Sequence, residues 1–239
     1  MLKQEDYQQH ISAKFNEELE SLRNHMLEMG GKVERQLSTA LDALVQRDSG
    51  EAELIVGRDS EVNEMEMAID DECASILARR QPTASDLRLV VAIIKVNTDL
   101  ERIGDEAAKV AKQAVRLSEE GGASPSSFIE IRHIGNRVAS MLHNALDAFA
   151  RLDVDLSVEV VKGDTQVDKE YGSAMRSLVT FMMEDPRAIS AILNEMWALR
   201  SLERIGDHAC NIAEQVVYLV RGLDVRHGSL EELDQKLSS

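Results

Sequence analysis

The sequence predicts an all-α fold, a tandem of two three-helix bundles. Only 3% of the 239 residues are aromatic and only three are prolines, whereas the strong helix formers Leu, Ala, Glu, Met and Arg dominate. No stretch alternates apolar and polar residues as a half-buried strand would. The hexapeptide LERIGD at 100–105 recurs unchanged at 202–207. An offset of this length indicates a duplicated domain-sized unit and not a solenoid repeat.

Three helices are predicted in the first half. The first runs from about residue 6 to 47, although Gly30-Gly31 should interrupt and weaken or bend it, since each glycine costs about 1 kcal/mol in a helix. Residues 48–50 are predicted to stop it. The second ends before Pro82, which cannot continue a helix, and the third begins near Ser85 as N-cap. The inward stripe of the third helix is Ile93, Val96, Leu100, Ile103, Ala107, Val110, Ala114 and Leu117.

The second half repeats this plan after a linker at 118–127 that contains two glycines and a proline. Helices are predicted over about 128–152, 154–183 and 187–222, and Pro186 ends the second of them. The first bundle is therefore placed at 1–120 and the second at 121–239, with a polar tail from 223. Short connections predict antiparallel neighbours, but periodicity does not decide whether the bundles are stacked or side by side.

The charge of the chain excludes several classes of partner. With 27 basic and 43 acidic residues the net charge is −16, which repels nucleic-acid backbones and anionic membranes and attracts cations and basic protein surfaces. No run reaches the roughly 18 apolar residues of a membrane span, and we expect no direct membrane insertion. Cys73 and Cys210 fall in apolar helical patterns, as buried free thiols of a reducing compartment do. We expect a cytoplasmic protein.

The repeated hexapeptide carries a pair of carboxylates one helical turn apart. Glu101 and Asp105 lie on one side of their helix, away from its apolar stripe, and so do Glu203 and Asp207. Like charges at this spacing cost a few tenths of a kcal/mol, and Gly104 adds roughly 1 kcal/mol. A nearby cation would offset the repulsion, and close approach of a ligand or chain would explain the glycine.

The second helix of each half supplies companion side chains, because Asp59 and Asn63 correspond to Asp164 and Asp168. If the second and third helices are antiparallel, each half brings together up to four oxygen ligands. Such ligands suit magnesium, calcium, manganese or iron better than structural zinc. The candidate metal ligands are Asp59, Asn63, Glu101, Asp105, Asp164, Asp168, Glu203 and Asp207. Spacing alone does not decide between this hypothesis and carboxylates that are solvated or paired with arginines such as Arg102 and Arg204.

The other polar motifs give little further support for a metal or catalytic site. His208 could join a metal site, but its counterpart in the first half is Glu106, and a surface histidine is the simpler expectation. Glu130 and His133 form one Glu-x-x-His motif, whereas di-iron bundles need two. Trp197 is interpreted as an interface or core anchor. The sequence contains no glycine-rich phosphate loop after a strand and no nucleophile–base spacing.

On these residues the chain resembles the PhoU family, over roughly 15–223. That family is a tandem of two three-helix bundles with Glu/Asp-x-x-x-Asp motifs, matched here by Glu101–Asp105, Glu203–Asp207 and Asp164–Asp168. The sequence departs from the pattern at Asn63, where a carboxylate is expected. The metal site of the first half should therefore be weaker, or should use Asp59 alone.

The resemblance implies a non-enzymatic negative regulator of phosphate uptake and of the phosphate-starvation response. Such a protein would be a cytoplasmic homodimer that links the ATPase subunit of the phosphate ABC transporter to a phosphate-sensing histidine kinase. These partners would recruit it to the inner face of the membrane. Metal occupies the acidic motifs in some family members and is absent in others. If this chain binds a metal cofactor, the resemblance leaves its identity open among iron, manganese, magnesium, calcium and zinc.

Two other hypotheses belong to different classes of protein. An oxygen-ligated di-metal helical-bundle enzyme would contain stoichiometric redox metal and turn over a substrate. A plain structural bundle would tolerate neutralisation of every acidic motif.

Overall fold

The computed structural model describes residues 4–120 and 127–225, without the side chains of 4–12, Asp59 and 127–128. All regular elements in these residues are helical, which confirms the all-α prediction. The α helices are α1 Gln4–Gln46, α2 Ser49–Gly57, α3 Asp59–Arg80, α4 Ala84–Glu120, α5 Ser127–Arg151, α6 Val154–Glu184 and α7 Ile189–Arg221, with a 3-10 turn at Pro186–Ala188 between α6 and α7. The glycines and proline of the predicted linker and the tail beyond 225 lie outside the described residues.

The two halves differ in their second helix. The single helix predicted between residue 50 and Pro82 is divided into α2 and α3 at Arg58, whose backbone (φ −99°, ψ 3°) leaves the helical range. Gly57, a weak helix former, is the last residue of α2. In the second half the corresponding helix, α6, is continuous.

The turn before this second helix is duplicated in detail. Asp48 and Asp153 are N-caps whose carboxylates accept the backbone N–H of the residue three positions on, at 3.1 and 3.0 Å. The residue before each cap is left-handed, with φ 56° at Arg47 and 57° at Leu152. Residues 48–50 therefore end α1, as predicted, and also begin α2, because the Asp48 side chain satisfies a free N–H of the next helix.

The two halves lie side by side and share one core. α4 and α7 are antiparallel: Asp99 is hydrogen-bonded to His208 at one end of their contact, and Glu120 accepts a hydrogen bond from Ser190 at the other. α1 and α5 are also antiparallel: Gly30 lies beside Leu146 and Leu41 beside Gly135, and Glu34 is paired to His143 between them. Buried apolar residues from both halves form a single continuous cluster. The acidic motifs of α4 and α7 therefore belong to one antiparallel pair of helices in a shared core.

Gly30 does not interrupt α1, contrary to the expectation from sequence, because the helix runs unbroken through it. A Cβ atom on Gly30 would lie 2.8 Å from Leu146 of α5, and one on Gly135 would lie 2.4 Å from Leu41 of α1. Gly30 and Gly135 are equivalent positions of the duplication, as are Leu41 and Leu146. Each glycine therefore admits a leucine of the other half, and close helix packing offsets its low propensity.

Both cysteines are free and buried, and burial raises the pKa of each thiol. Across the described helices, none combines the length and apolarity that crossing a bilayer requires.

Candidate functional site

The four candidate residues of the second half come together on one face, which we call the acidic cluster: Asp164 and Asp168 on α6, Glu203 and Asp207 on α7. Burial, followed by the charges of Asp168, Asp207 and Glu203, raises the pKa of Asp164 to about 6. The Cys210 thiol hydrogen-bonds Asp164 and opposes this shift only slightly. The sequence-predicted residues of this half are thus close enough to repel one another.

Burial and neighbouring carboxylates also raise the pKa values of the two α7 members of the cluster, Glu203 and Asp207. Burial and Asp207 raise the pKa of Glu203, and Arg200, whose Nη1 lies 2.6 Å from Glu203 Oε1, opposes them. Burial and Asp168 raise the pKa of Asp207. The second carboxylate oxygen of Glu203, Oε2, is buried and has no hydrogen-bond partner in the described part of the chain. It is an acceptor that a cation or a partner could satisfy.

The glycine inside each motif permits close packing of the neighbouring helix. A Cβ on Gly206 would lie 3.4 Å from Asp164 Oδ1, and one on Gly104 would lie 3.3 Å from Val62 Cγ1. The first distance is ordinary van der Waals contact, and the second would require Val62 to move by a few tenths of an ångström, so the helices of each half already approach as closely as an added Cβ allows. The close approach expected from the sequence is therefore that of the chain itself, and it holds Asp164 beside the α7 carboxylates.

The first half gathers a different set of carboxylates. Glu101, Asp105 and Asn63 are half-buried, and the side chain of Asp59 lies outside the described part. Burial, then Asp70 and Asp105, raises the pKa of Glu66. Asn97 of α4 donates to Asp70 Oδ1 and to the backbone oxygen of Glu66, both at 3.0 Å.

Glu66 and Asp70 were missed by the sequence reasoning. They follow Asn63 at spacings of three and four residues, and therefore lie on the face of α3 that carries Asn63. Extending the motif by two helical turns would have found them.

The donor types of the acidic cluster fit a hard cation, since they are all oxygens and already repel one another. The orphaned Glu203 Oε2 supports this fit. However, no three His, Cys, Asp or Glu side chains within the described ranges are arranged to hold a metal ion. A cation would therefore require these carboxylates to rotate toward it, and metal binding stays a prediction.

The two histidines that the sequence singled out, His133 and His208, take no part in the acidic cluster. His133 of the Glu-x-x-His motif is exposed, with Nε2 3.4 Å from Glu170 Oε1. His208 is buried, contrary to the expectation of a surface residue, and its Nδ1 lies 2.8 Å from Asp99 Oδ1. Its counterpart Glu106 is also buried and pairs with Arg204 at 2.5 Å. Both positions are buried because the motif helices α4 and α7 pack on each other.

Trp197 is 60% exposed. The interpretation as a core anchor is therefore wrong, and the interface interpretation stays a prediction.

Comparison with protein families identifies the duplicated unit. The family model described as PhoU domain matches residues 26–114 and 131–216, one copy in each half. A Pseudomonas aeruginosa protein named phosphate-specific transport system accessory protein PhoU homolog is 56% identical over 239 residues, covering 100% of this chain and 98% of that protein. The Escherichia coli K12 protein named phosphate-specific transport system accessory protein PhoU is 46% identical over 229 residues, covering 96% and 94%.

Solved structures show the same arrangement of helices. The crystal structure of PhoU from Pseudomonas aeruginosa is 60% identical with a TM-score of 0.85, covering 87% of this chain and all of that one. That of the phosphate transport system regulatory protein PhoU from Streptococcus pneumoniae is 33% identical with a TM-score of 0.81, covering 88% and 99%.

Proposed function

The chain belongs to the PhoU family, and we propose on this basis that it is a negative regulator of phosphate uptake and of the phosphate-starvation response. The relatives are named as accessory proteins of phosphate-specific transport, and their similarity extends over nearly the whole chain. In this proposal the protein is a non-enzymatic cytoplasmic homodimer. It links the ATPase subunit of the phosphate ABC transporter to the sensor histidine kinase, and these partners recruit it to the inner face of the membrane.

The observation that carries this proposal, beside the similarity, is the acidic cluster. Its carboxylates are held together although burial and mutual repulsion raise the pKa of three of them. An arrangement that costs stability favours a binding role, because an idle surface has no need of it. A chain with a net charge of −16 is a poor direct receptor for phosphate. It would read phosphate status through protein contacts or bound metal.

In the metal-bound form, Asp164, Asp168, Glu203 and Asp207 would hold the cation, which would supply charge neutralisation. The first half would bind more weakly, through Asp105 with its neighbours, because Asn63 is neutral. Iron, manganese, magnesium, calcium and zinc are the candidates, and the oxygen donors favour the harder ions. The alternative function, a di-metal enzyme, would need two Glu-x-x-His motifs, and the sequence contains one.

A repression assay tests the regulator role directly. In a bacterial strain that lacks its own regulator, the wild-type chain should silence a phosphate-starvation reporter in phosphate-rich medium. Glu203→Gln with Asp207→Asn should abolish silencing while helicity by circular dichroism stays unchanged, since both side chains keep their size. The matched control is Asp155→Asn with Glu159→Gln, which removes the same two charges at the same spacing from an exposed face of α6. Silencing that survives the first pair as well as the second would refute a role for the acidic cluster.

Elemental analysis of protein purified without an affinity tag tests the metal separately. We expect bound metal that is largely lost in the Glu203→Gln, Asp207→Asn variant and retained in the control. Metal-free protein that still co-purifies with the transporter ATPase and the kinase would refute the metal and leave the adaptor role intact.

A further inference from the structure

The second half exposes a row of large apolar side chains, which we call the apolar strip: Val179 and Met183 on α6, and Ile189, Leu193 and Trp197 on α7. Their exposed fractions range from 40% at Ile189 to 81% at Met183. Scattered single apolar residues are ordinary on a protein surface, whereas a contiguous group that includes a tryptophan is typical of a binding site.

The apolar strip lies on the same face as the acidic cluster. At about 100° per residue, Ile189, Leu193 and Trp197 fall within about 80° of Asp207 around α7, and Val179 falls about 20° from Asp168 around α6. The two helices are antiparallel, since Asp164 of α6 hydrogen-bonds Cys210 of α7, whereas Tyr171, two turns farther along α6, accepts from Arg200, which precedes Cys210 on α7. The apolar strip and the acidic cluster therefore form one surface, whose two parts are separated by about 15 Å along α7 from Leu193 to Glu203.

The first half lacks this strip although its helices are equivalent. The corresponding residues are Ala74, Ala78, Leu87, Val91 and Lys95. Lys95, in the position of Trp197, lies over the ring of Tyr218 at 5.4 Å instead of presenting an apolar surface. Apart from Leu87, which matches Ile189 in size and exposure, the first half builds the same fold with smaller or charged side chains, and the fold itself does not require the strip.

We propose that the apolar strip and the acidic cluster together are the docking surface for an amphipathic helix of a partner protein, apolar toward Trp197 and basic toward Asp207. A helix of about 18 residues would span the surface from Ile189 to Asp207. Apolar anchors would supply affinity, and the carboxylates would select the basic end and its direction. This inference rests on the proposed adaptor function, to which it assigns a surface and the chemistry of the partner.

Charge complementarity selects this occupant over two others. A second copy of the chain also carries −16 and would bring its own carboxylates toward the acidic cluster. The residues 226–239 of the chain itself include Glu231, Glu232 and Asp234. They also follow the C-terminal end of α7, which lies about 36 Å along the helix from Trp197.

Trp197 is the sole tryptophan of the chain and reports directly on the surface. The probe is a synthetic 18-residue amphipathic helix with leucines on one face and lysines toward one end. Its addition should shift the tryptophan emission to the blue and saturate, whereas the same peptide with glutamates in place of lysines should not bind. Leu193→Ser with Met183→Ser keeps the reporter and should weaken binding about tenfold, equivalent to ~1.4 kcal/mol.

The matched control changes exposed apolar residues of the first half, Leu87→Ser with Met67→Ser, and should leave the affinity unchanged. Equal weakening by both pairs, or no blue shift at all, would overturn the proposal. A blue shift that appears when the protein concentration alone is raised would also overturn the proposal, because it would indicate that a second copy of the chain binds the apolar strip. A red shift of the Trp197 emission on deletion of residues 226–239 would indicate that the chain's own tail covers the apolar strip. That result would also overturn the proposal.

The repression assay then separates the two proposals. If the wild-type chain silences the reporter and Leu193→Ser with Met183→Ser does so equally well, the docking surface is refuted and the regulator stands. If the wild-type chain does not silence it, the proposed function fails, while the fluorescence titration still decides the surface.

Discussion

Replacing Asp164 by asparagine should stabilise the protein at neutral pH. The substitution keeps the size of the side chain and removes a charge that burial and three neighbouring carboxylates disfavour. An acid whose pKa is raised by folding binds more protons in the folded state than in the unfolded state. Its contribution to stability is therefore favourable at low pH and is lost as the pH rises through the folded pKa.

The magnitude follows from the two pKa values of Asp164. An ordinary aspartate titrates at 3.8 and the folded group at about 6, so the difference of about two units corresponds to ~3 kcal/mol. The gain in the free energy of unfolding should be close to this value above about pH 7. It should be about half at pH 5 and near zero below about pH 4.

Urea unfolding followed by circular dichroism at pH 8, 5 and 4 measures this gain. A chelator should be present, because a bound cation would relieve the same repulsion in the wild type. Glu159→Gln is the control, since Glu159 is an exposed carboxylate of the same helix and should change stability by less than about 0.5 kcal/mol. If Asp164→Asn is no more stable than the wild type at pH 8, or gains equally at every pH, the acidic cluster does not carry the repulsion ascribed to it.

Two further substitutions test the contact between the halves by the same unfolding measurement. Gly135→Ala should destabilise the protein by about 1–2 kcal/mol, because a Cβ 2.4 Å from Leu41 overpacks α1 against α5; Gly172→Ala, where only the end of Arg176 is near, should stabilise it by up to about 1 kcal/mol. A gain for Gly135→Ala would show that the leucine moves aside freely. Arg204→Ala leaves the buried Glu106 with Lys109 as its remaining ion-pair partner and should lower the free energy of unfolding by about 1–3 kcal/mol. An unchanged unfolding midpoint would show that the Arg204–Glu106 ion pair between α4 and α7 does not stabilise the protein.

Much of the acidic cluster could be predicted from the sequence, because its members follow helical spacing on two helices that had to be neighbours. Asp164, Asp168, Glu203 and Asp207 needed only the 3.6-residue period and an antiparallel turn between α6 and α7. The first half was less predictable. Asn63 weakens the motif there. Glu66, the carboxylate whose pKa Asp105 and Asp70 both raise, lies farther along α3 than the second half suggests.

The apolar strip shows a different limit. Trp197 lies beside the inward stripe of its helix, in the position of Lys95. Periodicity does not say whether another helix covers an apolar side chain there. Only the packed structure shows that α6 and α7 leave it exposed.

Local spacing along the chain was enough to predict the duplication, the carboxylates on one side of each motif helix and the helices themselves, except for the break at Arg58. The pairing of α4 with α7 and of α1 with α5 is visible only in the folded chain. That pairing turned Gly30 from a helix breaker into a packing site and buried His208 and Glu106 between the halves. Such choices depend on which two surfaces fit each other across more than 100 residues of chain, and no local pattern encodes that fit.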